Sequence, residues 1–210
     1  MKVEIDALIQ RMTNKEKYTN SQDSVSWNAH REAEKLNDYK IFETIKDRLE
    51  KKIDKDTKAA IYFIIGKIGK NLQSKEIGNY LLLRLKMETD KYIISNVLDL
   101  IQNIPKDESN DLSIIYAYLS EERWLIRHSA ISSLRNTKDK ITEDILLNHI
   151  EEAKDKIDIA ICNGVLNTIG TQKSIPKLME LSKSKTRDIK ISAKFALEEI
   201  EKRHPTTAST

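Results

Sequence analysis

A repeated spacing of apolar residues is the strongest signal in this chain. In DIKISAKFALEEI, near its end, the apolar residues Ile189, Ala193, Leu197 and Ile200 are spaced 0, +4, +8 and +11. On a helix these positions lie within about 80° of one another, so they form one apolar stripe. The same template fits five earlier stretches, with position 0 at Val25, Thr57, Ile93, Ile126 and Asp158. Asp158 is the weak member of this set. Starts that recur every 31 to 36 residues predict a helical repeat protein.

Other amphipathic segments alternate with these copies along the chain. They are Val3–Met12, Tyr39–Lys52, Lys75–Glu88, Asp111–Ser120, Glu143–Ala153 and Ser174–Ser182. Thr142 is a predicted N-cap, Pro176 suits a first helical turn, and Pro105 follows a helix that has already ended. Each repeat is therefore predicted to be a hairpin of two helices. One hairpin cannot bury its own stripe, so six of them should stack into an all-α fold, an α-solenoid.

One stretch carries a family resemblance. WLIRHSAISSLRN, Trp124 to Asn136, contains an aliphatic–Arg pair, Ile126 and Arg127, followed by Ala130 and Leu134. This arrangement resembles the second helix of HEAT-repeat proteins, specifically the short bacterial type related to phycobilin-lyase HEAT-like repeats. Among the six copies, only this one has the arginine of the HEAT-like pattern, at Arg127. The resemblance covers most of the chain from about residue 25 and implies a superhelix of about six HEAT-like hairpins.

The resemblance also implies a domain organisation. A single HEAT-like repeat domain should span residues 1–203. Residues 1–36 should form an irregular N-terminal cap repeat, because the linker Thr13–Asp23 is longer than a tight hairpin turn. The final stretch, residues 204–210, should be a disordered tail.

Composition narrows the class of protein. Of 210 residues, 39% are hydrophobic and 33% are charged, with five glycines and three prolines, which favours an extended helical protein over disorder or a many-turned β fold. The 36 basic and 33 acidic residues nearly balance, so nucleic acid is a weak candidate partner. A single cysteine excludes an intramolecular disulfide, and neither a secretion signal nor a membrane span is apparent. The expectation is a soluble, monomeric protein of the bacterial cytoplasm.

Surface positions follow from the direction of the stripe. If the stripe faces inward, positions −2, +2, +5 and +9 lie on the opposite side, and the resemblance implies that this side of the second helices lines a concave groove. Large aromatic residues facing away from a core are typical of binding hot spots. The predicted partner-binding residues are Trp27, His30, Tyr62, Trp124, His128, Arg135, Asn163, Asn167 and Lys194. Alternatively, Trp124 lies in a turn and covers a neighbouring hairpin.

The −2 positions are basic in four of the six repeats. They are Lys55, Lys91, Lys156 and Arg187, with Trp124 among them. Such a column could follow a phosphate backbone or contact an acidic partner. In a chain of nearly balanced charge, solvated lysines at helix starts are the simpler interpretation.

Two conspicuous residues are assigned to the scaffold. Arg127, at position +1 beside the stripe, should bind loop carbonyls or an acid of the adjacent repeat. Cys162 occupies a small-residue slot of the stripe and should be a packed thiol. No P-loop, dinucleotide fingerprint, zinc-finger spacing or HExxH motif is present, and the four histidines are scattered, so no catalytic residue, metal site or cofactor is predicted.

These observations favour a non-enzymatic scaffold or adaptor that binds another protein, with an immunity-type inhibitor among its uses. The alternative is an enzyme similar to the HEAT-like alkylpurine DNA glycosylases, which need groove aromatics, a basic surface and a groove carboxylate. Trp27, Trp124, Arg135 and Asp99 are the residues that could play these parts. A strongly basic face is absent, and no residue supports chromophore-lyase activity.

Overall fold

The computed structural model describes residues 2–205, with side chains from Glu4 onward. This part of the chain contains no strand and forms twelve α-helices. Their bounds are α1 Lys2–Met12, α2 Val25–Ala33, α3 Tyr39–Ile45, α4 Lys55–Leu72, α5 Lys75–Leu85, α6 Lys91–Ile101, α7 Ser113–Tyr118, α8 Trp124–Ser133, α9 Thr142–Glu152, α10 Lys156–Ile169, α11 Ile175–Leu181 and α12 Arg187–Arg203. Short 3-10 helices cover Ser21–Asp23, Lys46–Glu50 and Gln172–Ser174. The tail predicted from residue 204 lies outside the described residues except for its first two positions.

Consecutive helices pack as six hairpins, from α1 with α2 to α11 with α12. The prediction of an all-α fold built from six helical hairpins is therefore confirmed. The hairpins form two compact units of three, one ending at Ile104 and the next beginning at Pro105. In the first unit α4 packs against α2 and α6, and in the second α10 packs against α8 and α12. The even-numbered helices are called the second helices below. None of the described helices is long and apolar enough to cross a membrane.

Side-chain caps explain where most second helices begin. Asp54 accepts a hydrogen bond from the backbone N–H of Thr57, and Asp90 and Asp155 cap α6 and α10 in the same way. Each satisfies an N–H that has no partner within the helix. Pro176 lies in the first turn of α11, as predicted. The N-cap prediction for Thr142 is wrong. This residue is the first of α9, and its buried hydroxyl lies 2.7 Å from the hydroxyl of Tyr116.

The repeated stripe forms the core of both units. Positions 0, +4, +8 and +11 are buried or half-buried in all six copies, although the last of them lies beyond the end of α2, α6 and α8. In the first unit the Leu100 side chain of α6 packs directly on Gly66 of α4, where an added Cβ would lie 2.7 Å from that side chain. A larger residue at position 66 would push α4 away from α6. Cys162 is fully buried, and burial raises the pKa of its thiol, so the thiolate is disfavoured and the predicted packing role fits.

One buried charge gives a pH-dependent prediction. Lys106 is 1% exposed, and burial lowers its pKa to about 7. An unfolded lysine keeps its proton to about pH 10, so between about pH 7 and pH 10 the unfolded state binds more protons and stability rises with pH. In Lys106→Met the increase in the free energy of unfolding between about pH 7 and pH 10 is expected to be smaller. Urea unfolding at several pH values across that range measures it. Lys138→Met, at an exposed lysine of the same unit, is the control, and equal slopes in both variants would contradict the assignment.

Candidate functional site

A cavity of about 630 Å³ opens on the second helices of the first unit. Its apolar lining includes Ala59, Phe63 and Leu100, from α4 and α6. The segment that follows α1 closes one end of it, and His30 from α2 contributes an edge. The His30 ring meets the Phe63 ring edge-on, with centroids 4.9 Å apart. Within this unit, the second helices therefore line a hollow large enough to receive side chains of a partner.

The rim of this cavity (the first-unit cavity below) carries both signs of charge. Lys67 lies over the Phe63 ring, with its ammonium 4.7 Å from the centroid, and pairs with Glu34 at 3.4 Å. Lys70 and Asp99 are exposed on the rim. Mixed charges around an apolar floor are typical of protein interfaces, whereas a groove for nucleic acid is dominated by basic residues.

The two tryptophans are exposed, as predicted. Trp27 is 45% and Trp124 is 61% exposed. The Arg31 guanidinium lies 4.2 Å from the Trp27 ring centroid, and the Trp124 ring lies against His128 with centroids 5.5 Å apart. They belong to different units, and Trp27 does not line the first-unit cavity. Asp99 lines that cavity, but neither tryptophan does.

The expectation that Tyr62 and Asn163 face the groove is wrong. Both side chains are fully buried. The Tyr62 hydroxyl donates to Glu88 at 2.6 Å, and the Asn163 amide donates to Ser192 of the following second helix at 3.0 Å. Both occupy position +5, about 100° from the centre of the stripe, and that side of each helix packs against the next repeat. Lys194, at position +5 of the last described helix, is exposed.

The face that is open lies further round the helix, at position +6. It holds Phe63 in the first unit and Phe195 in the second, and Phe195 is 59% exposed. Phe195 lines a shallow hollow of about 440 Å³ together with Arg135 and Asn167, and the Asn167 amide donates to the Phe195 carbonyl at 3.0 Å. Neither phenylalanine was predicted to bind a partner, because positions −2, +2, +5 and +9 are centred on a part of the helix closer to the following repeat.

The basic column at position −2 is exposed throughout. In the first unit Lys55 pairs with Asp90 at 2.8 Å, and both Lys55 and Lys91 lie over the ring of Tyr92. Lys156 and Arg187 are the corresponding residues of the second unit. Lys55 is thus engaged within its own unit, which reduces the charge available to a phosphate backbone.

His128, predicted to face a partner, lies in an ion-pair cluster, and its side chain is only 15% exposed. Its Nε2 is 3.0 Å from Asp158 and 3.2 Å from Asp155. Arg127 donates to the same two carboxylates, at 2.7 and 3.2 Å, and to the Glu121 carbonyl at 2.8 Å. The prediction that Arg127 binds loop carbonyls or an acid of the adjacent repeat is confirmed, and the structure shows both kinds of contact.

His149 completes this cluster. Its Nε2 lies 3.6 Å from Asp158. His128, His149, Asp155 and Asp158 come from α8, α9 and the start of α10, so tertiary packing brings together two histidines that are scattered in the sequence. The available signal was Asp158 itself, a carboxylate at a position that is apolar in most of the other copies.

Comparison with known proteins reveals similarity of fold. No protein-family model matches the chain, and no curated protein matches it. Several solved structures are similar, including the following two. An engineered protein is 14% identical, with a TM-score of 0.54 over 95% of this chain and 97% of its own. A designed armadillo repeat protein is 14% identical, with a TM-score of 0.52 over 92% and 98%. The chain has an all-α helical-repeat fold. At this identity, the similarity extends to the fold alone.

Proposed function

We propose that this chain is a non-enzymatic scaffold that binds another protein through the open face of its second helices. The observation that carries the proposal is the first-unit cavity, which has an apolar floor and a rim of mixed charge. An apolar centre surrounded by polar groups is the usual anatomy of a protein-binding surface. Helical-repeat folds are well suited to this role, because successive repeats present a long row of side chains.

The contacts of Arg127 support a HEAT-type assignment for the repeats. The arginine that carries the sequence resemblance links α8 to the start of α10, so it joins successive hairpins in the second unit. Within this proposal the protein is monomeric, works in the bacterial cytoplasm, and serves as an adaptor or an immunity-type inhibitor. Size-exclusion chromatography with light scattering tests whether the protein is a monomer in solution.

Blocking the first-unit cavity is expected to prevent partner binding. The partner is first identified by affinity capture and mass spectrometry, and is then titrated as a purified protein. Asn96→Arg places a long charged side chain on the cavity wall, and we expect it to weaken binding at least tenfold. Asn37→Arg makes the same change at an exposed loop position outside the cavity. Equal affinity of the two variants for the partner would contradict the proposal.

The second unit is tested in the same titration. Trp124→Ala combined with Arg135→Ala removes an exposed aromatic and a neighbour of Phe195, and is expected to abolish binding while leaving the far-UV circular dichroism unchanged.

A separate test concerns DNA. We expect the protein to bind DNA only weakly, to lose that binding as salt is added, and to release no alkylated bases. Tight DNA binding at physiological salt that disappears when Lys55, Lys91, Lys156 and Arg187 are changed to Glu would favour the glycosylase alternative instead.

A further inference from the structure

We infer that the cluster of His128, Asp155 and Asp158 binds a divalent transition-metal ion of the zinc class. One donor atom from each of the three side chains lies within 4.8 Å of the others. Imidazole nitrogen and carboxylate oxygen together are the ligands that zinc accepts in proteins, alongside thiolate. The inference is independent of the proposed binding of a protein partner.

The spacing of the donor atoms fits a shared ion. Atoms bound to one zinc ion at about 2.0–2.2 Å lie roughly 3.0–3.5 Å from each other. His128 Nε2 lies 3.0 Å from Asp158 Oδ1 and 3.2 Å from Asp155 Oδ2. The two aspartates are three residues apart at the start of α10, and the cap bond from Ile157 N–H to Asp155 Oδ1 fixes the first of them. The helix start therefore holds both carboxylates toward His128.

Unsatisfied polar atoms distinguish this cluster from an ordinary ion-pair network. The Asp158 side chain is 4% exposed, and its Oδ1 accepts no hydrogen bond although His128 Nε2 is so close. Arg127 donates to the other oxygen, Oδ2. The hydrogen bond of His128 Nε2 is with Asp155, so Oδ1 of Asp158 has no hydrogen bond and meets His128 only as an ion pair when that ring is protonated. Buried polar atoms of this kind are rare unless an ordered water, a ligand or an ion meets them.

His149 adds a second unsatisfied atom at the same place. Its Nε2 is buried, forms no hydrogen bond, and lies 3.6 Å from Asp158 Oδ2. His149 therefore lies beside the three donor atoms that are within 4.8 Å of one another, and is not one of them. One imidazole and two carboxylates would leave a further coordination position open, and Arg127 balances part of the negative charge. The ion would join α8 to the start of α10 and strengthen the contact between two successive hairpins.

The experiment is a calorimetric titration of untagged, EDTA-treated protein with Zn²⁺, repeated with Co²⁺ to record its visible ligand-field spectrum. We expect one equivalent of Zn²⁺ to bind and to raise the melting temperature, because an ion that binds only the folded state stabilises it. The Co²⁺ spectrum should indicate nitrogen and oxygen ligands at a single site.

Three variants assign the site. His128→Ala removes a ligand while the Arg127 ion pairs remain, and Asp155→Asn keeps the cap of α10 while it removes a charge. Each is expected to weaken Zn²⁺ binding at least tenfold. His30→Ala, at a half-buried histidine of the first unit, is the control and should bind as the unmodified protein does. Absence of one-to-one binding, or equal affinity in His128→Ala and His30→Ala, would show that the cluster is an ion-pair network only.

Discussion

Replacing Ala130 by glutamate is expected to destabilise the second unit by about 3–5 kcal/mol, the range for an uncompensated buried charge. Ala130 is fully buried on the apolar stripe of α8, between Ile126 and Leu134, which are also fully buried. The glutamate would have to ionise without a partner or remain protonated in a space filled by other side chains. Urea unfolding monitored by circular dichroism measures the change, and Leu134→Asp should give a loss of similar size.

The matched comparison is Trp124→Ala in the same helix. This variant removes a much larger side chain, but one that is 61% exposed, so the change in the free energy of unfolding is expected to be within about 1 kcal/mol. His128→Ala should cost more than Trp124→Ala, because the histidine contacts two carboxylates. If Trp124→Ala and Ala130→Glu destabilised the protein equally, the assignment of inward and outward faces on α8 would be incorrect.

The second large effect is expected at Arg127. Arg127→Met retains much of the side-chain volume but leaves the buried carboxylate of Asp158 without its hydrogen bond at 2.7 Å and the Glu121 carbonyl without its bond at 2.8 Å. Removing one partner of a buried ion pair costs about 3–5 kcal/mol, since the other charge stays buried and uncompensated. Urea unfolding at neutral pH and in metal-free buffer provides the measurement.

A double-mutant cycle separates this pairing from general damage to the helix. Arg127→Met combined with Asp158→Leu removes both charges, so the combined loss should be smaller than the sum of the two single losses. Arg123→Met removes an exposed arginine that pairs with Glu121 on the surface, and should change stability little. Additive losses at Arg127 and Asp158 would mean that the two side chains do not stabilise each other.

Much of the architecture was predictable because it depends on short-range periodicity. The 0, +4, +8, +11 spacing identifies the stripe of each second helix. Because the spacing recurs every 31 to 36 residues, the number of copies predicts the number of hairpins. Asp54, Asp90 and Asp155, and Ser24 before α2, are N-cap residues that indicate where four of the second helices begin. The structural role of Arg127 followed from its place beside the stripe, where an arginine is normally paired.

The candidate sites were less predictable, because each depends on how neighbouring repeats pack. Tyr62 and Asn163 lie on the polar side of their own helical wheels, yet the next repeat covers them, and their polar atoms bond to partners that are 26 and 29 residues distant in the chain. Phe63 and Phe195 are apolar and would be assigned to a core, yet they line the open face.

The sequence by itself determined that this protein is all-α, that it consists of six hairpins, and which stripe of each second helix is buried. These properties follow from the helical period, which every residue shares with its near neighbours along the chain. Only the tertiary structure decided which flank of each helix the next repeat covers, where the first-unit cavity opens, and that His128, His149, Asp155 and Asp158 meet. Those outcomes depend on the rotation of each helix against the following one, and the sequence period of a single helix does not specify that rotation.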